Sequence, residues 1–113
     1  MRLSNEDQTF LKTYDDSKYA KPSVTADMVI FSRFSDGSLQ VLLIRRGKSP
    51  YKDQFALPGG FVNPDESVDQ AARRELLEET GVDCACLEPI RTFSTPGRDP
   101  RRWVISCAYL SLL

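Results

Sequence analysis

The sequence contains no histidine. Ser-His and Cys-His catalytic arrangements within the chain are therefore excluded, as is histidine general-base chemistry. Cysteine is scarce as well: Cys84, Cys86 and Cys107 are odd in number, show no CxxC spacing and have no imidazole to complete a zinc site. Buried, reduced thiols in a cytoplasmic protein are the expectation. No apolar run approaches the ~18 residues needed to cross a bilayer, and no apolar core follows a basic N-terminal segment. An excess of one charge is also missing, since 15 Lys and Arg against 16 Asp and Glu leave a net charge of −1. That excludes a global field able to gather nucleic acid or a membrane surface. Any chemistry must come from carboxylates, arginine and lysine, arranged locally.

What is present is an ordinary globular composition, 41% hydrophobic over 113 residues, the size of a single domain covering 1–113. Acids crowd the stretch from Asp65 to Glu88, opposed there only by Arg73 and Arg74, whereas Arg91 to Arg102 is basic apart from Asp99. Such blocks suit a metal and phosphates, or simply two solvated faces.

Ser4 to Asp7 has the form of a capping box and predicts a short helix to about Tyr14. Val24 to Arg33 is rich in β-branched and aromatic residues and reads as a strand, joined through the turn Ser35 to Ser38 to a partner strand over Leu39 to Arg46. Gly47 to Gln54 reads as loop. Leu57-Pro58-Gly59-Gly60 fits poorly inside a regular strand or helix and is expected to be a loop that lets backbone approach a ligand. Asn63 to Glu66 supplies a turn and N-cap candidates, after which Ser67 to Thr80 has helical composition and stops at Gly81. Cys84 to Ser94 reads as a strand broken at Pro89, Thr95 to Arg101 as a loop, and Trp103 to Leu113 as an apolar strand.

On a helical wheel, Val68, Ala71, Ala72 and Leu76 fall on one side and mark the buried stripe. Glu75 and Glu79 lie in the middle of that stripe, with Glu78 at its margin. Carboxylates in such positions repel one another and are disfavoured by burial unless something positive stands between them. The spacing i, i+3, i+4 converges the three on one place, and hard oxygen donors suit Mg²⁺ or Mn²⁺. A solvated acidic face with Arg74 and Glu78 as an i, i+4 pair is the alternative.

From Gly60 the order runs five residues to Glu66, seven to Arg74-Glu75, then Leu76, one residue, Glu78-Glu79, one residue, Gly81 and Val82. This string resembles the Nudix box at every specified position. Tyr14-Asp15, Pro22 to Asp27, Leu57 to Val62 and Ser94 to Arg101 are similar to a subgroup of that family, the ADP-ribose pyrophosphatase-like enzymes and the Nudix-related repressors of NAD metabolism. Phe55 stands where that subgroup frequently has Trp, and Arg102 where Gly is common.

The resemblance implies an α/β fold, an α/β/α sandwich with a mixed sheet and helices on both faces. It implies a hydrolase that needs Mg²⁺ or Mn²⁺ and cleaves the diphosphate of a nucleoside diphosphate derivative, ADP-ribose to AMP and ribose 5-phosphate for this subgroup. Glu75 and Glu79 would be metal ligands, Glu78 a direct or water-mediated one, and a carbonyl of Gly59 or Gly60 would complete the shell. Arg74 would orient Glu75 or its neighbours, and Glu66 would stabilise the turn into the helix. Arg45, Arg46, Arg98 and Arg101 are candidates to grip phosphate, and Phe55, Phe61 and Trp103 to stack a base. The rival expectation is the ADP-ribose-sensing half of a transcriptional regulator whose DNA-binding winged helix is not in this chain, which would itself contact no nucleic acid. A homodimer is expected by analogy. Ending on an apolar strand, the chain is expected to lack a C-terminal strand and helix, or to have an exposed edge covered by a partner.

Overall fold

The computed structural model describes residues 2–113. Its centre is the pair β1 (Ser23–Arg33) and β7 (Val104–Leu112), which run parallel from Ser23 opposite Val104 to Phe31 opposite Leu112. Parallel neighbours need a crossover, and the intervening chain supplies it with α2 (Val68–Thr80). β6 (Glu88–Phe93) pairs antiparallel with the other edge of β7, with an irregularity between Pro89 and Arg91 where proline lacks a ladder N–H. The expected break at Pro89 is thus a bulge. The final strand is internal to the sheet, and β6 is the edge on that side.

The early hairpin forms only in part. β2 (Leu39–Val41) pairs antiparallel with the end of β1, but the other half of the expected strand leaves the sheet as β3 (Ile44–Arg45), which pairs with β4 (Phe55–Ala56). The reason is competition for one edge: β5 (Gly59–Phe61) lies against Thr25 to Asp27 of β1, where that half would have continued. Gly59 and Gly60, expected in a loop, are therefore strand residues.

β1 alternates cleanly. Ala26, Met28 and Ile30 are buried against α2, while Thr25, Asp27 and Val29 face the opposite side. From α2 come Ala71, Ala72 and Leu76, all fully buried, so the stripe read from the sequence is the one that packs. Small side chains at Ala26, Ala71 and Ala72 let the helix backbone lie close to the sheet, and Leu76 and Met28 fill the space between. The helix is capped by Ser67, which forms a complete capping box with Gln70, and Gly81 closes it in the left-handed region at φ 78°.

The N-terminal helix predicted from the sequence exists as α1 (Asn5–Thr13), with Ser4 accepting from the Asp7 amide at 3.0 Å. None of its residues is buried. Phe10 and Leu11 stay exposed, so α1 does not form the second helical layer. Leu76→Ala should leave a cavity between α2 and β1 and lower stability by about 2–5 kcal/mol, read from the midpoint of urea unfolding.

Candidate metal and diphosphate site

Arg74 organises the entrance to α2. Its Nε and Nη2 grip both oxygens of Glu66 at 2.8 and 2.6 Å, and Nη2 also donates to the Phe61 carbonyl at 3.1 Å. Its Nη1 donates to Glu75 Oε1 at 2.8 Å and to Glu78 Oε2 at 3.1 Å. Glu66 in turn accepts the Asn63 amide at 2.9 Å, which tightens the turn before the helix. The Arg74 guanidinium, followed by that amide, holds Glu66 down at about 2. Arg74 thus ties the turn at Glu66 to the acids of the helix, and Gly81 ends the helix.

Glu75 lies directly under β5: a Cβ on Gly60 would collide with its carboxylate. On the other face of the same strand, a Cβ on Gly59 would collide with Asp27 Oδ1 and the Ala26 carbonyl. Glu79, one turn beyond Glu75, is exposed along its outer side, but its carboxyl is pressed toward the strand. Desolvation first, then the Glu75 carboxyl beside it and more weakly Asp27, push Glu79 up to about 7 against the pull of the Gly59 amide. Asp27 is itself raised by burial, with the Thr25 and Ser106 hydroxyls and the Arg98 charge opposing.

The structure brings together Glu75, Glu79, Gly59 and Gly60, but not all three helix glutamates at once. The Glu78 side chain is 60% exposed and is turned to Arg74. Among the described residues, no trio of Asp, Glu, His or Cys stands ready around a single point. The donor set is nevertheless all oxygen, and among the described residues no cation pairs with Glu79. The chemistry of these donors fits a hard divalent ion.

Of the basic candidates, Arg46, Arg98 and Arg101 line one small polar cleft of about 190 Å³. Arg46 donates to the Pro50 carbonyl at 2.6 Å, and Arg101 pairs with Asp99 at 2.9 Å. Arg45 is not part of it. It lies over the exposed Phe55 ring, 5.4 Å from the centroid, on the small β3–β4 sheet. Phe61 is covered by Arg101 and Arg102, at 5.3 and 4.9 Å. Trp103 lines a groove with Pro96 and Pro100 that adjoins the cleft through Asp99 and Arg101.

Asp27, Thr25 and Ser106 had no role in the sequence reading. They line a cavity of about 410 Å³ on the sheet face away from α2, which shares Arg98 and Arg101 with the cationic cleft. The available signal is an acid at an alternating position within a strand rich in β-branched and apolar residues.

Arg74→Ala should lower the urea midpoint, because Glu66 and Glu75 are left half-buried without a partner, whereas Arg73→Ala should change it little, its pair with Asp83 being half exposed on both sides. In chelator, the folded chain keeps a proton on Glu79 between pH 4.5 and about 7 that the unfolded chain has released. Stability should therefore fall as pH rises through that window, and Glu79→Gln should flatten the slope. Glu66 works in the opposite sense: its contribution is present above pH 4.5 and is lost as pH falls toward about 2.

Residues 21–112 match the family model described as NUDIX domain. The chain is 42% identical over 111 residues to the ADPR responsive transcriptional repressor NtrR of Acinetobacter baylyi, covering 96% of this chain and 44% of that protein. It is 40% identical over 92 residues to the ADP-ribose pyrophosphatase of Methanocaldococcus jannaschii, covering 81% and 52%. The chain thus spans about half the length of these relatives. The NUDIX domain of Shewanella oneidensis NrtR, solved in complex with ADP ribose, superposes with a TM-score of 0.85 at 32% identity, covering 98% of this chain and 71% of that one. With Glu75 of the box helix set under a double-glycine strand, and with this match across most of its length, the chain belongs to the NUDIX domain family.

Proposed function

We propose that the chain is a hydrolase that uses Mg²⁺ or Mn²⁺ to cleave the diphosphate of ADP-ribose, releasing AMP and ribose 5-phosphate. The observation that carries this reading is Glu75 set against Gly60, with Glu79 one turn on, its carboxyl beside that of Glu75 and raised to about 7. Like charges so close call for a divalent ion.

Glu75 and Glu79 would hold that ion, with a carbonyl of Gly59 or Gly60, and Glu78 would reach it directly or through water. Such an ion supplies charge neutralisation for the diphosphate oxygens and lowers the pKa of an attacking water. Arg74 holds Glu75 beside the site, draws Glu78 to its own outer side and fixes the helix entrance through Glu66. Arg46, Arg98 and Arg101 grip phosphate oxygens from the neighbouring cleft, where a planar guanidinium can bind two at once. The nucleoside or sugar enters the cavity beside Asp27, whose apolar wall includes Leu57, Ile90 and Phe93. The same reading takes the protein as a cytoplasmic homodimer acting on a small nucleotide.

A second reading, the ligand-sensing domain of a transcriptional regulator, is supported by the 96% coverage of this chain in its match to the repressor. The two differ in turnover. With Mg²⁺, the wild type should release AMP from ADP-ribose, and Glu75→Gln and Glu79→Gln should each lower kcat/KM by about a hundredfold or more. Saturable binding of ADP-ribose with no AMP formed would overturn the hydrolase and support the sensor.

A further inference from the structure

Asp27 lies midway along β1, faces the cavity away from α2, and has no task in the metal chemistry. Among the described residues it forms no salt bridge. Its company is hydroxylic: Thr25 Oγ1 lies 3.0 Å from Asp27 Oδ2 and 2.7 Å from Ser106 Oγ, and Arg98 Nη1 donates to Ser106 Oγ at 2.8 Å. A hydroxyl carries one proton. The ordering that satisfies all three contacts runs from Arg98 to Ser106 to Thr25 to Asp27, so each donor points onward to the carboxylate. Thr25 and Ser106 are buried, at 7% and 4% exposure, and cannot turn to bulk water instead.

A carboxylate accepts about four hydrogen bonds and donates none. Thr25 fills one of these sites with Ser106 beside it, and of the other cavity residues Leu57, Ile90, Phe93 and Val104 offer no side-chain donor, whereas Arg98 and Arg101 do. The part of a ligand that meets Asp27 itself must bring donors and no negative charge, while Arg98 and Arg101 in the same cavity suit an attached phosphate. Vicinal sugar hydroxyls meet both conditions; a phosphate does not. The cationic cleft that suits phosphate shares Arg98, Asp99 and Arg101 with this cavity, so a sugar one bond from a phosphate can occupy both spaces.

We propose that Asp27 is a specificity residue that accepts hydrogen bonds from the vicinal hydroxyls of a ribose attached to the bound diphosphate, with Thr25, Ser106 and Arg98 aiming its carboxylate into the cavity. This rests on the diphosphate ligand proposed above and holds whether that ligand is cleaved or sensed.

The test is calorimetric titration of the whole chain in chelator, which prevents turnover under either reading. The probes are ADP-ribose, two analogues each lacking the vicinal hydroxyls of one ribose, and inorganic pyrophosphate. Wild type should bind one of the two analogues roughly tenfold to a hundredfold more weakly than ADP-ribose, the scale of hydrogen bonds to a charged group. Asp27→Asn should bind that analogue and ADP-ribose within twofold of each other, and its pyrophosphate affinity should stay within twofold of wild type. Thr25→Val should narrow the wild-type gap without closing it, and carries the test if Asp27→Asn shows an unfolded circular dichroism spectrum. A gap that persists unchanged in the folded variants, or no gap in wild type for either analogue, overturns the role of Asp27 alone. Wild type that binds pyrophosphate but not ADP-ribose overturns the ligand reading, and this inference with it.

Discussion

Carboxylates reach one strand from both of its faces because that strand carries two consecutive glycines. Side chains alternate along a strand, so the hydrogens of Gly59 and Gly60 point to opposite sides, and each leaves room for one acid: Asp27 from β1 on one side, Glu75 from α2 on the other. Any larger residue at either place would push an acid away. The fold thus concentrates acids across the thickness of a single strand, and Glu79 is raised by desolvation first and by the neighbouring Glu75 next, with Asp27 adding a smaller push. Ala26, Ala71 and Ala72 serve the same geometry, since larger side chains between β1 and α2 would lift the helix and its glutamates off the strand.

Arg74 is the counterweight. It spans four partners, tying the Phe61 carbonyl and Glu66 ahead of the helix to Glu75 and Glu78 within it. Without that cation the loop, the helix start and the acids would all have to find other compensation. The same guanidinium keeps Glu75 and Glu79 from being symmetric: one has a cation at 2.8 Å, while the other, among the described residues, has no cation and meets the Glu75 carboxyl and the Gly59 amide.

The region around α2 was legible in the sequence because its signals are local. The apolar stripe through Ala71, Ala72 and Leu76, the acids embedded in it and the left-handed stop at Gly81 all follow from spacing within one helix. The hairpin after β1 was only half legible. Nothing in Leu39 to Arg46 says that β5 claims the edge of β1, because that competition involves residues well beyond the hairpin, at Gly59 to Phe61.

The sequence by itself determined which residues bear the chemistry and how they are spaced along a helix, since periodicity, caps and charge are properties of neighbours along the chain. Only the tertiary structure decided which of them meet. It separated Glu78 from Glu79 and gathered Arg46, Arg98 and Arg101 while leaving Arg45 on the small sheet. It also set Asp27 against Gly59 across the sheet. Those juxtapositions depend on strand pairing between distant segments, and a strand's partner is set by what else competes for its edge.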